Sequence, residues 1–276
     1  MKRPAPIHIA DRFPALRKRL LDLLSGLSKE DWSRPTAAGL WSVKDIAAHL
    51  VGGDIGNLSR RRDAFTPPGK PIHQYADLVD FINQLNDDWI RAARRMSPRV
   101  ICELLACTGP PIETYFNSLV LDEMGGPVEW AGPDPAPVWF DLAREFTERW
   151  HHQQQIRDAT GRPPLYDPYF FGPVLDTFIR ALPHRFRDTV APEGTVIRIE
   201  FSGDAGGSWF LQRIEQSWEL FMESDTKPAV EVIISQDSAW RLFTRGMDGA
   251  QARRLATVGG NSTLANPLFA TVAVIA

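Results

Sequence analysis

Cysteine is nearly absent: the 276 residues include two, Cys102 and Cys107. They lie five positions apart in a stretch that reads as helix. That spacing is neither a Cys-x-x-Cys redox pair nor a zinc set, and so few cysteines suit a reducing cytoplasm. No apolar run approaches the ~20 residues that a membrane-spanning helix needs. The basic start Lys2-Arg3-Pro4-Ala5-Pro6 leads into no apolar core, so no signal peptide is read. Positive charge is not in excess either, with 31 Lys and Arg against 34 Asp and Glu and a formal net charge of -3. Nucleic-acid binding would show as a clustered basic excess. The one basic run, Arg60-Arg61-Arg62, reads as a solvated helix end. Internal repeats and low-complexity tracts are missing as well. What is left is a cytoplasmic globular protein, and a hydrophobic content of 43% is enough to bury a core.

Length favours two ordinary domains over one. The first two thirds read as helices. From Ile9 to Leu27, apolar residues recur at three and four: Phe13, Leu16, Leu20, Leu23, Leu24. Ser42 reads as an N-cap with Asp45 three positions on, a variant of the capping box. That helix is predicted to run to about Phe65, before Pro67-Pro68-Gly69. A third helix spans roughly residues 75 to 96. A fourth opens at Ser97-Pro98, is broken or kinked at Pro110-Pro111, and resumes to about Met124. After a Gly- and Pro-rich loop, a fifth helix runs from near Pro137 to Gly161, a C′ glycine. Pro163-Pro164 marks a linker, which predicts domains at 1–163 and 164–276.

Past the linker, a helix is predicted from about Pro168 to Phe186. The period then changes. Val196, Arg198 and Glu200 alternate with Ile197, Ile199 and Phe201, the rhythm of a strand. Further strands are read at 209–211, 218–222 and 230–234. A short helix is read at 238–244, capped by Asp237, and helices at 247–255 and 263–274. The C-terminal part is therefore α+β, on an antiparallel sheet. Nine tryptophans read mostly as core anchors, among them Trp32, Trp41, Trp89, Trp139 and Trp150.

The fifth helix carries the densest chemistry: Glu145, Glu148, His151, His152 and Gln155. Glu148 and His152 are four apart, so they point the same way from adjacent turns. A carboxylate and an imidazole so placed can share one cation. His151 is three from Glu148 and can also reach; it lies further round the helix and reads as a supporting or surface residue. On its own, such a pair is usually a weak surface ion pair. His49 stands two turns into the second helix, at the margin of its apolar stripe, and on its own reads as a core histidine. Gly52, Gly53 and Gly56 follow it. Glycine in a helix costs about 1 kcal/mol relative to alanine, so something approaches this backbone closely, a neighbouring helix or a ligand.

The string Trp41-Ser42-Val43-Lys44-Asp45-Ile46-Ala47-Ala48-His49-Leu50, with the Glu148/His152 helix, resembles the DinB-like superfamily. More closely it is similar to the mycothiol-dependent maleylpyruvate isomerase family, and Asp237-Ser238-Ala239-Trp240-Arg241-Leu242-Phe243 supports this. The resemblance implies a DinB-like four-helix bundle followed by a smaller α+β domain of sterol-carrier-like type. It implies one divalent ion on His49, Glu148 and His152, with Asp45, His151 and Gln155 in support. Zinc is the first expectation; nickel, manganese or iron suit the same donors. It implies a low-molecular-weight thiol such as mycothiol as cosubstrate, and a small electrophilic substrate. The family also uses a C-terminal arginine, for which Arg241 and Arg245 are the candidates. One departure stands out: Gln155 occupies a position where the isomerase pattern has an acid, and an amide cannot act as a base. Related bundles often dimerise, which leaves a homodimer open.

The expected function is therefore metal-dependent, thiol-using isomerisation or thiol transfer. Two alternatives are kept. One is a non-catalytic lipid or small-molecule carrier, with Trp209, Phe210, Trp218 and Phe221 lining a cavity. The other is a metal-dependent hydrolase. The loop at 125–137, with Trp130, is read as a possible border of the site.

Overall fold

The computed structural model describes residues 2–66 and 73–274, and they form two compact units. One comprises Ile9–Val120 and Glu148–Leu165; the other comprises residues 2–8, Leu121–Thr147 and Tyr166–Val274. The Leu165–Tyr166 passage is the one beside the Pro163-Pro164 linker. Residues 121–147 fold with the later unit: Trp139 lies under the Arg180 guanidinium, and the Glu129–Ala131 turn packs on Leu182–Arg185. Helix α5 (below) contributes residues to each unit.

The first unit is helical. It holds α1 (Phe13–Ser25), α2 (Val43–Gly56), α3 (Tyr75–Ala93), α4 (Pro98–Asn117) and the second half of α5 (Val138–Ala159). Helix α2 is central, packing on α3 and α4. Its Val43, Ile46, Ala47, Leu50 and Val51 join Leu20, Leu24, Ile90, Ile101, Leu105 and Ile156 in one core. Helix α4 runs unbroken through Pro110 and Pro111, where a break or kink followed by a resumption to Met124 was predicted. Proline's fixed φ is itself helical, and the Thr114 hydroxyl donates to the Pro110 carbonyl at 2.9 Å. Beyond Gly56 the chain winds on as a wider π turn, Asn57–Arg62. The predicted breaker Pro67-Pro68-Gly69 lies outside the described residues.

The second unit is mixed. The expected loop after α4 contains a small ribbon, β1 (Met124–Pro127) with β2 (Pro135–Pro137). Then come α6 (Pro168–Ile179), α7 (Leu182–Arg185), β3 (Val196–Ser202), β4 (Gly207–Ile214), β5 (Ser217–Phe221) and β6 (Val230–Ser235). They are followed by α8 (Gln236–Phe243), α9 (Gly249–Leu255), β7 (Thr257–Gly260) and α10 (Asn266–Phe269). The sheet order is β5-β4-β3-β6-β7. It is not wholly antiparallel: β6 pairs with β3 in parallel. The N-cap of α8 is Ser235, whose hydroxyl accepts from the Ser238 N–H, rather than Asp237. The long helix expected at 263–274 is a short 3-10 turn and the four-residue α10.

Candidate metal centre

Local order begins at Ser42. Its hydroxyl accepts from the Asp45 N–H at 3.3 Å, and the Asp45 carboxylate accepts from the Ser42 N–H at 3.0 Å. This is a complete capping box. Asp45 also accepts from Arg94 at 3.1 Å, so its carboxylate secures the start of α2. The capped start aims α2 so that His49, two turns on, meets the side chains of α5. In the preceding loop the Thr36 hydroxyl donates to the Trp41 carbonyl at 2.7 Å, and Gly39 turns the chain at φ +59°. Trp41 then lies with its ring centroid 4.9 Å from that of His49 and 6.4 Å from that of His152.

Rotation of α5 is set by a run of buried amides. Gln153 donates to the Leu16 carbonyl, and Gln154 accepts from the Leu165 N–H at 2.9 Å. The Trp150 indole donates to the Leu165 carbonyl at 3.0 Å. Held in this way, α5 directs Glu148 and His152 toward His49. His152 Nε2 stands 2.9 Å from Glu148 Oε1, and His49 Nε2 stands 3.2 Å from the same oxygen. One donor atom from each of the three residues lies within 4.8 Å of the others. Donor atoms bound at 2.0–2.2 Å to one tetrahedral ion would sit roughly 3.3 Å apart, so the set is close to the spacing an ion requires. The other nitrogen of His152, Nδ1, stands 2.9 Å from Gln155 Oε1. A metal-binding imidazole usually has just such a partner on its far nitrogen.

Electrostatics agree with this chemistry. Burial pushes the His49 imidazole below its ordinary range, outweighing the lift from Glu148. Burial therefore favours the neutral imidazole, which has a lone pair to give. Burial opposes ionisation of Glu148, yet His152, His49 and His151 together hold it well below the usual carboxylate range. Glu148 is thus a carboxylate whose side chain is 31% exposed, while those of His49 and His152 are 13% and 8% exposed.

The other expected residues fall as follows. His151 is buried, its Nδ1 3.8 Å from Glu148 Oε2, and its ring lies 4.0 Å from that of His152. Arg241 and Arg245 belong to the mixed unit. The Asp237 carboxylate accepts from Arg241 Nε at 3.1 Å, and the guanidinium lies 4.5 Å from the Trp240 ring centroid. Arg245 follows α8 in the left-handed region, at φ +60°. Trp130 is buried against Phe140 in the mixed unit. Gly52 is answered by a neighbouring helix: a Cβ there would stand 2.7 Å from the Trp89 indole nitrogen, which donates to the Ala48 carbonyl. The sequence reading missed Trp41 as a wall beside the two imidazoles and took it for a core anchor. Its place in the same string as His49 was the available signal.

A helical unit presenting two imidazoles and a carboxylate from two helices, on a chain with a mixed sheet unit, defines a two-unit protein with a candidate metal cluster. Residues 13–157 match the mycothiol maleylpyruvate isomerase N-terminal domain family, and the chain belongs to it. The fold is similar to a crystal structure of the mycothiol-dependent maleylpyruvate isomerase at 12% identity and TM-score 0.52, covering 88% of this chain and 91% of that one. A histidine-to-alanine mutant of that enzyme matches with TM-score 0.53 at 12% identity and 91% coverage of each chain. A UbiJ-SCP2 ubiquinone synthesis protein covers 36% of this chain and 85% of its own at 24% identity, but its TM-score of 0.25 is too low to bear on the sterol-carrier reading. No curated protein matches the chain.

Proposed function

We propose that this chain is a divalent-metal-dependent, thiol-using enzyme that isomerises a small electrophilic substrate or transfers a thiol to it. The observation carrying this is the convergence of His49, Glu148 and His152 in a member of this family. The structural neighbours are described as mycothiol-dependent, which makes mycothiol the first thiol to try. A bound divalent ion would supply Lewis acidity, lowering the pKa of a thiol so that a nucleophile is present at neutral pH.

The side chains have separable tasks. Burial favours the neutral form of His49, the form that can ligate an ion. Glu148 brings the negative charge that partly neutralises an ion, and its exposed edge marks the way in from solvent. Gln155 holds the His152 ring. Trp41 sets an apolar face beside both imidazoles. Within the mixed unit, Arg241 is proposed as a carboxylate-binding group. Asp237 grips its Nε edge and Trp240 lies beneath, so the planar fork is fixed in advance.

The sterol-carrier alternative draws little support. Trp209, Trp218 and Phe221 are buried, and both indoles already donate, to Asp176 and to the Thr189 carbonyl. Elemental analysis of the purified protein and of His49→Ala tests the proposal. Near-stoichiometric zinc, nickel, manganese or iron is expected in the first and not in the second. Activity on an electrophilic cis-alkene acid should then require both metal and thiol. Metal-dependent cleavage of an ester or amide without thiol would instead indicate a hydrolase.

A further inference from the structure

Asp54 lies in α2, five residues beyond His49, and is 1% exposed. Its Oδ2 accepts from Arg17 of α1 at 2.6 Å and from the Thr108 hydroxyl of α4 at 2.7 Å. Its Oδ1 accepts from Arg149 of α5 at 3.1 Å. One carboxylate thus joins four helices. Burying charge in this way is a poor route to stability, since apolar side chains of similar volume often serve as well. What a buried ion pair can supply is a unique arrangement of the elements it joins.

The geometry shows which arrangement. Arg149 directly follows Glu148 and precedes His152 by three residues. Its guanidinium is 10% exposed and lies 5.7 Å from the Phe13 ring centroid and 5.3 Å from that of Phe116. Neighbouring residues on a helix point about 100° apart. Arg149 therefore faces the Asp54 network while Glu148 faces His49. Asp54 lies about 7.5 Å further along α2 than His49. Helices α2 and α5 are thereby linked at two points, Asp54–Arg149 and His49–Glu148. The two separated links join the Gln153, Gln154 and Trp150 contacts in setting rotation and register, and Asp54–Arg149 is the one outside the His49–Glu148 pair that ties α5 to the helix bearing His49. We infer that Asp54, acting through Arg149, is a positioning residue that holds Glu148 and His152 against His49. The inference rests on the metal centre proposed above.

The test compares zinc affinity, by competition with a chromophoric chelator, with thermal stability in the same variants. Asp54→Asn and Arg149→Gln should each weaken zinc binding by about tenfold or more. Because they act through one contact, the double variant should bind no more weakly than either single one. Thr108→Val removes a bond to the same carboxylate from a helix that bears no ligand. It should lower Tm and leave zinc affinity unchanged, which a merely structural role for Asp54 would not distinguish. If Asp54→Asn does not fold, Arg149→Lys keeps the charge, loses the fork, and is expected to show the same loss of affinity. Undiminished zinc affinity in folded Asp54→Asn or Arg149→Lys overturns the inference, as does equal weakening by Thr108→Val. Retention of zinc by His49→Ala would overturn the metal centre itself, so the two failures appear in different variants.

Discussion

His152 offers two ring nitrogens in different directions, and the residue on the far one is where this chain departs from the isomerase pattern. An amide at Gln155 accepts from Nδ1 and orients the ring, but it does not raise the basicity of the imidazole as a carboxylate would. Gln155→Leu should weaken zinc binding about 10–100-fold. Gln155→Glu should tighten it. Chelator competition across the three proteins checks both, and equal affinities would mean that Gln155 has no part in the centre. If Gln155→Glu also raises thiol-dependent turnover at saturating zinc, the acid serves proton movement as well. At this scale the sequence was legible where chemistry follows from one helix: Glu148 and His152 share a face by period alone. That His49 meets them, and that Trp41 lies across both imidazoles, depends on tertiary contacts that no local spacing encodes.

Two glycines of α2 separate packing from propensity. Gly52 is pressed against the Trp89 indole, which is already committed to the Ala48 carbonyl, whereas a Cβ on Gly53 would meet nothing within 4 Å. Gly52→Ala should therefore overpack the α2–α3 contact and cost about 1–3 kcal/mol. Gly53→Ala should gain up to about 1 kcal/mol of helix propensity. Urea unfolding of the two variants gives opposite shifts if this is right; a shared sign would show that the helix, not Trp89, sets the cost. Ser42→Ala should cost about 1 kcal/mol by uncapping the same helix. Helices α1 to α5 and strands β3 to β6 were readable because their apolar residues repeat at 3.6 or 2, whereas the helix expected over 168–186 is split into α6 and α7 and that expected over 263–274 shrinks to α10. The ribbon β1–β2 and strand β7 were not, being built from Met124–Pro127, Pro135–Pro137 and Thr257–Gly260, where proline and glycine leave no alternation to read. The parallel β3–β6 pairing was hidden for another reason. Strand order is settled by which faces bury together, and the β3-β4-β5 meander does not reveal on which side β6 will dock.

Among the described residues, no helix is long and apolar enough to cross a membrane. Folding stability couples the site to pH across the molecule. In the metal-free protein His49 titrates below its ordinary value of 6.5. An unfolded chain takes up that proton first, so stability is present above pH 6.5 and declines as pH falls through the folded value. Glu148 titrates well below 4.5. Its contribution is present above that pH and is lost as pH falls through the depressed folded value. Both groups make acid the destabilising direction, and protons compete with an ion for the same atoms. At neutral pH, zinc at about 100 times its Kd should add about 2.7 kcal/mol to stability, read as a rise in Tm by calorimetry. That gain should shrink as pH is lowered, because protons compete with the ion for the same donor atoms. His49→Ala should show no zinc-dependent rise at any pH. A rise that survives either acid or the loss of His49 would mean that the ion binds elsewhere, and that the His49, Glu148 and His152 contacts are only a buried hydrogen-bonded cluster.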